Sequence, residues 1–190
     1  MPLPASVDRE LIHTRSLNIR IFRRPDGLWD VDGQLIDVKP FAYFMLDGTR
    51  EAEQPIHDMS LRLTIDRDLE VREAVAHMDQ GAHSICDRIT PDYGMLAGLR
   101  IGPGWIRQAR ERLGGISGCT HLNEMLGQMA TAALQAMWSE LEAEQVAATG
   151  RYELSEGVIN SCHTYRQDSG YVETYFPEHY RPEAPGAKAQ

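Results

Sequence analysis

In the stretch Gly114-Gly115-Ile116-Ser117-Gly118-Cys119-Thr120-His121, a thiol and an imidazole stand two residues apart behind three glycines, at the head of a long helical pattern. A helix N-terminus favours negative charge and makes a cysteine more acidic, so Cys119 suits ligation as a thiolate or nucleophilic attack. Two positions are about 200° around a helix, so Cys119 and His121 share one ion only if Cys119 is still in the loop. Comparable chemistry is carried by His13, His57-Asp58, Cys86 and Cys162-His163. Sulfur and imidazole donors select zinc or iron over magnesium or calcium. The expected metal site draws on Cys86, Cys119, His121, His57 and Asp58, with His57 or Asp58 as general base where it is not a ligand. Cys162 and His163 are neighbours on an expected extended stretch, which sends their side chains to opposite faces, so at most one joins any site. The chain has no Cys-x-x-Cys and no His-x-x-x-His to fix a ligand set by spacing.

Those residues need elements to position them. Leu17, Ile19 and Ile21 alternate with polar residues, which predicts a strand within 10–24, and Pro25-Asp26-Gly27 predicts a turn. Asp32-Gly33 predicts a two-residue hairpin between strands at 28–31 and 34–38. The run 41–46 reads as a further buried strand. Met59, Leu61, Leu63 and Ile65 alternate cleanly with polar residues, and 69–78 is expected to pair back against them with Val71 and Val75 inward. Beyond Gly81 the periodicity becomes helical. A short helix carries Ile85, Cys86 and Ile89, and another carries Trp105, Ile106, Ala109 and Leu113. A long helix over about 120–147 has Leu122, Leu126, Met129, Ala133, Met137 and Leu141 at helical spacing. Residues 158–176 read as two short extended segments. Strands first and helices after predict an α+β fold, an antiparallel, mostly N-terminal sheet packed by C-terminal helices including one long one. The expected organisation is one domain over 1–180 and a disordered Pro/Ala/Lys tail over 181–190.

Composition narrows the function classes. The chain has 190 residues, 42% hydrophobic and 25% charged, which is the balance of a globular domain with a real core. A formal net charge of −9, with basic residues scattered apart from Arg20, Arg23 and Arg24, argues against a nucleic-acid partner. No apolar run approaches the ~20 residues of a membrane span. The first six residues show neither a charged nor an apolar signal region, so no secretory signal is expected. Three cysteines far apart in sequence then predict free thiols in the cytoplasm rather than a disulfide framework. A monomer or homodimer acting on a small molecule or a partner protein fits these totals.

Two resemblances add to this. Ile12-His13-Thr14-Arg15, Gly27-Leu28-Trp29-Asp30, Pro55-Ile56-His57-Asp58-Met59, Gly118-Cys119-Thr120-His121-Leu122 and Cys162-His163-Thr164-Tyr165-Arg166 look like a bacterial family known only as domain of unknown function 2889, over roughly 8–178. That resemblance implies no activity. More remotely, 55–145 is similar in order to the iron–sulfur scaffold and sulfur-acceptor fold. Asp58 matches its aspartate, Cys86 its middle cysteine and Cys119 its last. Ile56-His57 stands where that fold has Cys-Gly, Gly118 where it has histidine, and His121 instead stands two residues after Cys119. A mixed His/Asp/Cys site for zinc or a single iron is compatible with these departures. Three readings stay open: a metal-dependent lyase or hydrolase of small-molecule catabolism, a thiol carrier or cluster-assembly accessory using Cys119, and a non-catalytic binding module.

Overall fold

The computed structural model describes residues 4–182 except 47, 151, 153, 155 and 156. The chain divides into two compact units, Met1–Trp138 and Ser139–Gln190. The first unit contains β1 (Thr14–Arg23), β2 (Trp29–Val38), β3 (Tyr43–Met45), β4 (Gly48–Arg50), β5 (His57–Ile65), β6 (Val71–Gln80) and α1 (Trp105–Leu113). It also holds two 3-10 segments, Cys86–Leu96 and Gly115–Ser117, and the start of α2 (Thr120–Thr149). β1, β2, β5 and β6 form an antiparallel sheet in the order β1-β2-β5-β6, and β3 and β4 make a separate small hairpin. The fold is α+β.

Alternation decides which face of the sheet is covered. Val31, Leu35, Met59, Leu61, Leu63 and Ile65 lie on one face, each nearly inaccessible to water, and Leu122, Met125, Leu126, Met129 and Ala133 of α2 close the same core. α2 lies so close to β2 that a Cβ on Gly33 would meet Met125 Cε at 2.8 Å and Met129 Sδ at 2.9 Å. Here Asp32-Gly33 departs from the expected hairpin, because β2 runs straight through it. Gly33 faces the helix, and Asp32 faces outward to take both Arg62 Nε at 2.6 Å and Arg62 Nη2 at 2.7 Å. A side chain at 33 would push on the two methionines, so the glycine serves packing rather than a turn.

Two other expectations change for equally local reasons. Val75 is 52% exposed, because the β5–β6 register shifts between Thr64 and Ile65. Ile65 pairs with Val71 but Thr64 with Glu73, so the extra residue reverses the alternation and turns Ala74 inward instead. In the run 41–46, only Tyr43–Met45 is strand, and Phe44 and Leu46 face solvent. The helices follow the sequence pattern more closely. Trp105, Ala109 and Leu113 of α1 are buried, and the indole Nε1 of Trp105 donates to the Leu126 carbonyl at 3.2 Å. Among the described residues no helix is long and apolar enough to cross a membrane.

In the second unit, the extended segments expected over 158–176 are instead turns and one short helix, α3 (Gly170–Tyr175). The Ser169 hydroxyl accepts from Val172 N at 3.2 Å, an N-cap that satisfies a helix donor and favours the helix over a strand. Tyr165, Tyr171 and Phe176 pack ring against ring around it. The tail over 183–190 lies outside the described residues.

Candidate metal centre

The apolar rows of the inner sheet face run Ile21-Val31-Leu63, Ile19-Gly33-Leu61 and Leu17-Leu35-Met59. One step further along the same face the row is Arg15-Asp37-His57, three polar residues in direct register on adjacent strands. Asp37 is 1% exposed, so it carries a carboxylate into the apolar face of β2. Burying a charge is tolerated only when it is fully paired, and Asp37 is. Its Oδ1 accepts from Arg15 Nε at 2.8 Å and lies 3.1 Å from His13 Nε2. Its Oδ2 accepts from Arg15 Nη2 at 2.8 Å and lies 2.8 Å from His57 Nδ1. Burial alone would push this carboxyl up. The hydrogen bonds from Arg15, His57 and His13, with the charge of Arg15, outweigh burial and hold it well below the usual carboxylate range.

The opposing wall is the first turn of α2. His121 stacks on His57 with ring centroids 4.0 Å apart and planes tilted by 40°. Burial, then the neighbouring His57 and Arg15, depress the His121 pKa and favour its neutral form. Arg15 ties the two walls together, since its Nη1 donates to Glu124 Oε2 at 3.0 Å. Cys119 Sγ lies 3.9 Å from His121 Nδ1. The position of this turn is fixed by the buried Tyr93, whose hydroxyl accepts from Cys119 N at 3.1 Å and donates to Asn123 Oδ1 at 2.8 Å. Burial pushes the Tyr93 phenol up, so it remains a donor throughout the physiological range.

Asp37, His57 and His121 each offer one ligand atom, and these atoms lie within 4.8 Å of one another. Among the described residues this is the one such group of His, Cys, Asp and Glu. Of the residues singled out from sequence, His57 and His121 therefore meet, and Cys119 stands beside His121. Asp58 follows His57 on the strand and so faces the other side of the sheet, where it accepts from Gln34 Nε2 at 2.9 Å. Cys86 opens a 3-10 segment and packs at Gly81, where an added Cβ would come within 2.6 Å of its own Cβ. Cys162 is exposed in the second unit. Asp37 and Arg15 were not among the sequence candidates. The signal for Asp37 is present, since an aspartate ends the inward series Trp29, Val31, Gly33, Leu35.

A family model described as Protein of unknown function (DUF2889) matches residues 13–135, a span that runs from His13 through Arg15, Asp37, His57 and Cys119 to beyond His121. No curated protein and no solved structure matches the chain.

Proposed function

The chain belongs to the family described as Protein of unknown function (DUF2889), and from the geometry of its side chains we propose that it binds one transition-metal ion at the cluster formed by Asp37, His57 and His121. The observation that carries this reading is that one potential ligand atom from each of the buried Asp37 and the half-buried His57 and His121 lies within 4.8 Å of the others, where the sheet meets the first turn of α2. Imidazole is a borderline donor and the adjacent Cys119 thiolate a soft one, which favours zinc or iron over magnesium or calcium. Depression of the His121 pKa supports ligation, because only the neutral imidazole offers a lone pair. A metal there supplies Lewis-acid polarisation of a substrate carbonyl or an activated water, the chemistry of a small lyase or hydrolase. The free thiols Cys86, Cys119 and Cys162 support a reducing, cytoplasmic setting.

The test is elemental analysis of protein purified without a metal-affinity tag, in air and anaerobically. About one zinc or iron per chain is expected, with His57→Ala and His121→Ala each losing it. Wild type free of metal under both conditions overturns the reading. The 3.9 Å approach of Cys119 Sγ to His121 Nδ1 favours a second reading, a thiol carrier in which the imidazole takes the thiol proton. Under that reading His121→Ala slows alkylation of Cys119 whether or not metal is present.

A further inference from the structure

The hydrogen bonds around Asp37 divide the labour within the site. A carboxylate has about four lone-pair directions, and Asp37 has four nitrogen partners, two on each oxygen. Two of those partners belong to one guanidinium in the bidentate geometry that gives Arg–carboxylate pairs their strength and direction. Arg15 cannot swing aside cheaply, because its remaining nitrogen is held by Glu124 of α2. A cation on Asp37 would have to displace one of these donors and stand beside a guanidinium charge. Resting on the metal-site reading, we infer that Asp37 is a positioning residue that orients His57 and does not itself ligate the metal.

The consequence for His57 follows from proton bookkeeping. The bidentate Arg15 fork makes both Asp37 oxygens acceptors, so the His57 Nδ1 that lies 2.8 Å from Asp37 Oδ2 carries the hydrogen. In the neutral ring Nε2 then holds the free lone pair, and Asp37 fixes both the tautomer and the plane in which that lone pair points. The register Arg15-Asp37-His57 builds this arrangement into the backbone of three strands, so it exists before any ion arrives. The ligands are then His57 Nε2 and His121, with the Cys119 thiol 3.9 Å from His121 Nδ1, and Arg15 and His13 serve by saturating Asp37. The ligand class is a divalent transition metal that accepts imidazole nitrogen and thiolate.

Two measurements test this. The first is titration of the full chain with cobalt(II) and with zinc, comparing wild type, Asp37→Asn and His57→Ala. Asp37→Asn should bind roughly 10–100-fold more weakly, the usual cost of losing such an orienting partner, at unchanged stoichiometry and with the same cobalt absorption bands. His57→Ala should lose binding. Loss of binding in Asp37→Asn as complete as in His57→Ala, or altered cobalt bands, would show Asp37 to be a ligand. The second is nitrogen-15 NMR of the metal-free wild type at a pH where the imidazoles are neutral. The expected signal is an Nδ1-protonated His57, and an Nε2-protonated ring overturns the orienting role without any variant having to fold. If wild type takes up neither metal, the metal reading fails and the tautomer alone decides the role of Asp37.

Discussion

A Cβ on Gly118 would stand 1.9 Å from the carbonyl oxygen of Leu113, the last residue of α1. The same carbonyl accepts from Asn123 Nδ2 at 2.6 Å, so the chain leaves α1, passes over its final turn and enters α2 in near contact with it. Cys119 follows directly, held by Tyr93, and His121 reaches His57 from the next turn. The glycine therefore sets where the helix begins, and through that the height of one wall of the site.

Gly118→Ala should consequently damage the protein more than Gly115→Ala. At Gly118 the obstacle is backbone, which cannot rotate away, and forced overpacking of this kind costs ~1–3 kcal/mol or more. Gly115 has φ of +58° and nothing within 4 Å of an added Cβ, so alanine there meets only the left-handed penalty of ~1–2 kcal/mol. Denaturant unfolding of both variants checks the order. Metal uptake checks that the loss at Gly118 extends to the site, because Cys119 and His121 would be displaced with it.

The alternation of Met59, Leu61, Leu63 and Ile65 and the spacing along Leu122, Leu126 and Met129 were enough to read the sheet, the long helix and the face each buries. Local patterns carry that much because they report burial directly. Strand register is different. Arg15, Asp37 and His57 are far apart in sequence and become a row only through the β1–β2 and β2–β5 pairings. An aspartate at an inward position looks like a strand end until its partners are known. Asp32-Gly33 misleads for a related reason, since a glycine required by Met125 and Met129 has the same letters as a turn glycine. His57 and His121 were legible as chemistry, whereas the carboxylate that organises them was not.

Leu126→Ala should cost ~2–5 kcal/mol, the range for truncating a buried leucine that leaves a cavity. Leu126 is 2% exposed and sits in the core against the sheet. Val75→Thr should change stability by less than ~0.5 kcal/mol, as the bulge before it leaves this side chain in solvent. Urea midpoints of the two variants test both halves. Equal losses would mean that the inward face of β6 is the other one.

Acidification should weaken the fold in two separable stages. The folded pKa of His121 is depressed, first by burial and then by His57 and Arg15. Below the unfolded value of about 6.5, the unfolded chain takes up a proton that the folded one resists. Stability is thus full above that pH and falls as pH drops toward the folded value. Asp37 is also depressed, so its contribution is full above the unfolded carboxyl value of about 4 and is lost as pH falls further. Thermal melts across pH should show both losses. His121→Gln should remove the upper stage and Asp37→Asn the lower. A rise in stability on acidification through either window would contradict the sign.

The three thiols should react in a fixed order that metal then changes. Cys162 is exposed, and backbone hydrogen bonds from Tyr165, followed by Thr164 and nearby hydroxyls, lower its pKa and enlarge its thiolate fraction. Cys119 and Cys86 are half-buried. Iodoacetamide should therefore label Cys162 first, read by peptide mass spectrometry. Added zinc should slow labelling of Cys119, the sulfur 3.9 Å from His121 Nδ1, and leave Cys162 unchanged. A coordinated thiolate has its lone pair engaged and needs acid for release, so protection should fade as the pH drops below about 6. His121→Ala should abolish the protection, whereas Cys86→Ser should leave it intact if Cys86 takes no part in the site. Labelling of Cys119 that is indifferent to zinc would place its sulfur outside the metal's reach and leave the two imidazoles as the ligands.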